Sequence, residues 1–304
     1  MRLVGPLGRF LALLGLTAAT ALVLPAAPAA AGTSAPARAG ATTLPPGGVK
    51  DMSVIALVAT PDGKGYWIVD TAGKVFAFGD ASFFGDTSAI NLNSPIVGAA
   101  STPDGQGYWL VGFDGGVFAF GDASFFGSTG SMRLNEPIIG IAPLRGGNGY
   151  WLVARDGGVF SFGAAQFYGS MGGIKLNKPV AGIAGAPQGR GYWLVANDGG
   201  VFSFGAANFF GSTGNLKLNQ PVTAMASTSD GGGYVLAATD GGIFAFGDAH
   251  YYGSLSKLSP PTPITGVALT PDNGGYWMVG TDGYAYPFGD AHYYGSLPNP
   301  TPAP

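Results

Sequence analysis

Apolar residues along this chain come in short bursts, each cut off by Gly, Pro, Asp or Asn. In one representative stretch the bursts fall at 96–100, 108–111, 117–120 and 124–126. The breaks between them are Thr102-Pro103-Asp104-Gly105, Asp114-Gly115-Gly116 and Gly121-Asp122. Aromatic and branched residues fill the bursts, as suits short, half-buried strands. The breaks hold the residues that tight reversals use, since Asp can cap nearby backbone and Gly accepts a positive φ. No dozen residues free of Gly and Pro show a 3.6-residue period, so helices are not expected. The pattern predicts four antiparallel strands and a loop through Leu134-Asn135-Glu136-Pro137.

That unit repeats every 42 residues. Gly65-Tyr66-Trp67 returns at Gly107, Gly149, Gly191, Gly233 (there Gly-Tyr-Val) and Gly275. Phe83-Phe84-Gly85 returns as Phe125-Phe126-Gly127, Phe167-Tyr168-Gly169, Phe209-Phe210-Gly211, Tyr251-Tyr252-Gly253 and Tyr293-Tyr294-Gly295. Six copies in constant register indicate units that pack on one another. Four strands in 42 residues match the blade of a β-propeller. A solenoid needs atypical capping repeats, whereas the first and last copies here look ordinary. The expected fold is all-β: a six-bladed β-propeller of four-stranded antiparallel blades over 50–297. Closure is expected by face-to-face packing of the end blades. An extra edge strand from 42–50 is disfavoured by Pro45-Pro46-Gly47-Gly48.

The ends read differently. Arg2 and Arg9, the apolar stretch 10–24 and Ala29-Ala30-Ala31 make 1–31 a signal peptide, too short for a comfortable bilayer span. Residues 32–49 read as a flexible linker and 298–304 as a disordered tail. Export without a single Cys leaves packing to stabilise the domain, and excludes disulfides and thiolate metal sites. Loss of Arg2 and Arg9 takes the net charge from -3 to -5. That balance does not suit a nucleic-acid backbone, and no later stretch suits a membrane span.

The run Gly-Tyr-Trp-Leu-Val-x-x-Asp-Gly-Gly-Val-Phe-Ser-Phe-Gly is complete at 149–163 and 191–205. It resembles the tandem repeat of secreted actinobacterial proteins, over about 52–297. The resemblance implies a propeller-like module found alone or attached to cell-wall hydrolases and peptidases, with catalysis in the attached domain. Departures are Ala72 at the turn-Asp position, Val235 for Trp, and Tyr284-Ala285-Tyr286-Pro287 in the last third strand. Each is expected to loosen its own blade.

Candidate chemistry is weighed against that repetition. Trp67, Trp109, Trp151, Trp193 and Trp277 could stack on sugars, but one per blade at one strand position suits a core. Phe76, Phe118, Phe160, Phe202 and Phe244 are expected in the core too. Asp114, Asp156, Asp198, Asp240 and Asp282 read as turn caps, and Asp-Gly-Gly lacks the alternating ligands of a calcium loop. His250 and His292 fall on different blades, at a variable outer position. Gly-x-Ser-x-Gly is absent. No catalytic residue, metal ligand or cofactor is expected.

One asymmetry stands out. Asp62, Asp104, Asp230 and Asp272 lie in the turn between strands one and two; Asp80, Asp122, Asp248 and Asp290 lie in the turn between strands three and four. Blades three and four lose both, with Gly146 and Gln188, then Ala164 and Ala206, in their places and Arg145 and Arg190 beside them. Both turns belong on one face, which is expected to carry an acidic arc with a weakly basic gap. Either the turns serve only local hydrogen bonds, or the face receives a cation or a positively charged partner. Arg133, Lys175, Lys178, Lys217 and Lys257 belong to loops of the opposite face and could meet anionic wall polymers.

The function expected first is a secreted, non-catalytic binding or scaffold module at the cell envelope, recognising wall polysaccharide or an envelope protein. The alternatives are a glycan-directed hydrolase using carboxylates of the channel or face, and a structural protein of surface assembly. Small or apolar residues repeated along the channel would count against the hydrolase.

Overall fold

A computed structural model of the chain describes residues 53–258 and 260–297. The expected leader, linker and tail, and the edge strand considered at 42–50, lie outside the described residues.

Blade one holds β1 (Val54–Ala59), β2 (Gly65–Asp70) and β3 (Val75–Gly79). Blade two repeats them as β4 (Ile96–Ser101), β5 (Gly107–Gly112) and β6 (Val117–Gly121), and blade three as β7 (Ile138–Pro143), β8 (Gly149–Ala154) and β9 (Val159–Gly163). Blades four and five are β10 (Val180–Gly185), β11 (Gly191–Ala196), β12 (Val201–Gly205), β13 (Val222–Ser227), β14 (Gly233–Ala238) and β15 (Ile243–Gly247). Blade six is β16 (Ile264–Leu269), β17 (Gly275–Gly280) and β18 (Ala285–Gly289). Each blade is a separate antiparallel sheet in sequence order. Its first strand packs beside the first strand of the next blade, and β16 returns to β1. The result is a six-bladed propeller with the first strands innermost.

The middle strand of every blade is buried along its whole length. All five tryptophans lie on it at 0–1% exposure. Each indole meets the tyrosine of the next blade: Trp67 with Tyr108 at 5.6 Å, Trp151 with Tyr192 at 5.2 Å, and Trp277 with Tyr66 across the closing seam at 5.9 Å. Ring pairs of this kind add to the burial of large apolar surface.

Every blade is a three-stranded sheet, not the expected four-stranded one. The segment after the third strand runs outside the sheet without a ladder, because side chains take its polar groups. Opposite Trp109 on β6 stands the small Ala119, so the indole crosses the strand and donates to Ser124 O at 2.8 Å. From the next blade, the Tyr150 hydroxyl accepts from Phe126 N at 3.2 Å and donates to Gly127 O at 2.6 Å. Gly127 has φ 133°, and a Cβ there would stand 2.6 Å from the Phe162 ring. This explains the closing Gly of the second marker. Burial raises the pKa of Tyr66, Tyr108, Tyr150, Tyr192, Tyr234 and Tyr276, which keeps each hydroxyl a donor.

A third strand without an outer partner is only half covered. Phe76, Phe118, Phe160, Phe202 and Phe244 are accordingly partly buried, and they pack against the core to which the sequence assigns them.

Two departures from the repeat are also compensated, contrary to expectation. With Ala72 in the turn, Asp70 moves the carboxylate upstream, and its Oδ1 accepts from Ala72 N and Lys74 N, both at 2.9 Å. In blade five, Val235 stands where the other blades have the indole. Leu269 of blade six packs against the cluster containing Val235, where other blades have Ala59, Ser101, Pro143, Gly185 and Ser227.

Candidate functional site

The turns joining strands one to two and three to four share one face, and a threonine ties them together. Thr60 Oγ1 lies 2.9 Å from Asp62 Oδ1 and 3.4 Å from Asp80 Oδ1. Thr228 reaches Asp248 and Thr270 reaches Asp290, each at 3.2 Å, while Thr102 reaches Asp104 at 2.9 Å. The hydroxyls of Thr60, Thr228 and Thr270 also accept from Gly65, Gly233 and Gly275 N at 2.9–3.0 Å. Backbone N–H groups, followed by the threonine hydroxyls, hold Asp62, Asp104 and Asp230 below the ordinary carboxylate range. The Thr270 hydroxyl, followed by Gly274 N, does so for Asp272. Desolvation, then the charge of Asp272, pushes Asp290 up. Local hydrogen bonds thus engage Asp62, Asp80, Asp104, Asp230, Asp248, Asp272 and Asp290 within their turns.

The threonine was not singled out from the sequence, though its signal was there. Thr60, Thr102, Thr228 and Thr270 become Leu144 and Ala186 in the two blades that lack both aspartates. All three members of the cluster disappear in register, and an open depression of about 640 Å³ takes their place. Arg145, Arg190, Asn148, Gln166, Gln188 and Tyr168 line it, with Ala164 and Ala206 where carboxylates stand elsewhere. Arg145 Nη1 donates to Ser229 O of blade five at 2.9 Å, which fixes its side chain across blade four. Gln188 Nε2 donates to Asp230 O at 3.3 Å, and the Tyr168 hydroxyl to Gly189 O at 3.3 Å. Among the described residues the one ion pair is Lys64–Asp62 in blade one, so carboxylates neutralise neither arginine. The basic gap is thus a concave site, which the sequence did not reveal.

The hairpins between strands two and three form the opposite face. The loops return to it, as Thr129 N donating to Gly115 O at 3.1 Å shows for blade two. Arg133, Lys175, Lys178, Lys217 and Lys257 are exposed there in successive loops. Beside them Ile90, Met132, Ile174, Leu216 and Leu258 are 50–72% exposed, a repeated feature the sequence reading passed over. The leading aromatics of the second marker, Phe83, Phe125, Phe167, Phe209, Tyr251 and Tyr293, are 47–60% exposed.

The remaining candidates are parts of the frame. Asp114, Asp156, Asp198 and Asp240 accept from Gly116, Gly158, Gly200 and Gly242 N at 2.8–3.0 Å, and Asp282 accepts from Tyr284 N at 3.0 Å. His292 O accepts from the Trp277 indole at 2.7 Å, and the His250 ring lies against its own turn, Nδ1 2.8 Å from Asp248 O. The central channel, about 510 Å³, is lined mostly by apolar and small residues such as Ile55, Val97, Ile139, Ala181, Thr223 and Thr265, with Arg155 and Asn197 as its charged and amide members. No carboxylate lines it, so the hydrolase expected to act through channel carboxylates is corrected on that point.

Neither a family model nor a curated protein matches the chain. Among solved structures it is similar to the β-propeller domain of Cps50 (Swd1) from Myceliophteria thermophila. Identity is 13% over 75% of this chain and 79% of that one, with a TM-score of 0.49.

Proposed function

We propose that this chain is an exported, non-catalytic binding or scaffold module of the cell envelope, recognising wall glycan or an envelope protein. The observation that carries this reading is the contrast between the ring and its one irregular face. Repeated indoles, tyrosines and turn carboxylates are absorbed by packing and local hydrogen bonds, while the polar groups at blades three and four stand open in a depression. The leader read at 1–31 supports export, and the resemblance to secreted actinobacterial repeats supports the envelope.

The test is retention of the purified chain on isolated wall glycan and on peptidoglycan, against wall-free matrix, across a salt titration. Saturable retention that weakens with salt is expected, since exposed charges act through water. Absence of saturable retention on every material removes the reading. A second reading, surface assembly, is favoured by the exposed aromatics that recur in all six blades. Sedimentation at rising concentration tests it: growth of large species supports assembly, and a constant monomer removes it.

A further inference from the structure

We propose that the depression between blades three and four receives the acidic group, carboxylate or phosphate, of an anionic saccharide. This deepens the envelope-binding reading and rests on it for the biological setting only.

Charge selects the sign of the ligand. In blades one, two, five and six this register holds a carboxylate pair; in blades three and four it holds Gly146 with Ala164 and Gln188 with Ala206, and Arg145 and Arg190 stand beside them. The nearest pairs, Asp104 with Asp122 and Asp230 with Asp248, belong to the flanking blades and repel an anion from the rest of the face. One site per ring follows.

Geometry selects the kind of anion. A guanidinium presents N–H donors in a planar fork that matches a carboxylate or phosphate. The bond from Arg145 to Ser229 O positions that side chain before any ligand arrives, so less freedom is lost on binding. Arg190 lines the same depression with no ion pair among the described residues. Around the two arginines, Asn148, Gln166, Gln188 and Tyr168 offer amide and hydroxyl groups as donors and acceptors. That lining suits the hydroxyls of a sugar, with Leu144 and Pro187 as apolar surface for a ring face. The volume, about 640 Å³, lies in the range of small-ligand sites.

The test is a calorimetric titration of the full chain with trigalacturonate, its methyl ester, a phosphate-bearing maltotriose oligomer and an aspartate-rich peptide. Two variants accompany it. Arg190→Gln removes one fork without touching the Arg145 anchor. Ala164→Asp with Ala206→Asp installs residues that four blades already carry, so the fold has precedent for them. One acidic saccharide is expected to bind at one site per chain, and comparing trigalacturonate with the phosphate oligomer identifies the acid. The ester and Arg190→Gln should each weaken binding by about tenfold, as loss of a charged hydrogen bond does, and the double Asp variant should abolish it. The proposal is overturned if neither acidic saccharide binds, if the ester binds as well as the acid, or if the double Asp variant binds unchanged. Tighter binding of the peptide than of both saccharides overturns the saccharide assignment. Wall retention unchanged in the double Asp variant would leave the envelope reading standing without this pocket. Saccharide binding without wall retention would do the reverse.

Discussion

At the scale of single residues, the departures from the repeat are matched by neighbours. Val235 and Leu269 make the clearest pair: a Cβ at Gly185, the same position as Leu269, would lie 3.4 Å from the Trp151 ring. A large residue there therefore belongs only opposite the blade that lacks an indole. Val235→Trp in the presence of Leu269 should overpack and destabilise the fold by about 1–3 kcal/mol. Leu269→Ser should destabilise it through lost packing. The double variant should recover most of the loss, so denaturant midpoints of the four chains should be strongly non-additive; simple additivity would show that the two positions do not share space. Asp70 is the second case. It is buried, its Oδ2 is unpartnered, and burial, ahead of the Asp86 charge, raises its pKa in the folded chain. The folded state then holds a proton that the unfolded state releases above about pH 4. Stability should fall as pH rises from there through the folded value, and stay lower beyond it. Asp62, Asp104, Asp230 and Asp272 have the opposite sign, giving stability above the ordinary value that is lost as pH falls through their lowered ones. Asp70→Asn keeps an acceptor for Ala72 N and Lys74 N but no longer titrates. The difference in stability between parent and variant should slope across this window, and a flat difference would refute the burial argument.

At the scale of the element, three strands of each blade were legible from alternation and turn residues, and the fourth was misread for a physical reason. Ser124, Phe125 and Phe126 have strand composition, but a ladder needs backbone groups facing a partner strand. Here Ser124 O is bonded to the Trp109 indole, and Phe126 N and Gly127 O to the Tyr150 hydroxyl. Burial patterns within one segment cannot announce that side chains from two other strands will claim its polar groups. The small residue opposite four of the five tryptophans is the clue that was present: Ala77, Ala119, Ser161 and Ser203 occupy the position in blades one to four, and Pro287 faces Trp277 in blade six. Ala119→Leu should therefore obstruct the path of the Trp109 indole and cost about 1–3 kcal/mol. Its signature is local. Amide exchange should quicken at 124–127 while β5 stays protected, because the middle strand keeps both ladders. Equal loss of protection in β5 would mean that the outer segment is not a separate layer.

At the scale of the molecule, the ring follows from constant spacing, and the structure adds what spacing cannot give, the same backbone bond at all six seams. Each first strand donates across its seam to the preceding blade's hairpin: Ile96 N to Thr71 O, Val180 N to Arg155 O and Val54 N to Thr281 O, all at 2.9 Å. At the last seam Tyr66 donates to Gly295 O at 2.6 Å, as Tyr150 does to Gly127 O within the chain. The pocket was half legible for the same reason. Missing aspartates could be counted in register, but Gln166 and Tyr168 come from the outer segment, and only the fold brings them beside Arg145 and Arg190. If six seams are equivalent, the one between Leu297 and Ser53, where the described residues end and begin, has no special standing. Residues 130–136 bridge Thr129 to Pro137, the positions that correspond to Leu297 and Ser53. Joining Leu297 to Ser53 through a copy of that loop, and opening the chain at the exposed Gly173, should give a permutant with the parent's near-ultraviolet spectrum. Its melting midpoint should lie within about 4 °C of the parent's, roughly 1 kcal/mol at this size. A permutant that melts far lower, or loses fixed aromatic packing, would show that one seam holds the ring more firmly than the rest, and that equivalence in length is not equivalence in strength.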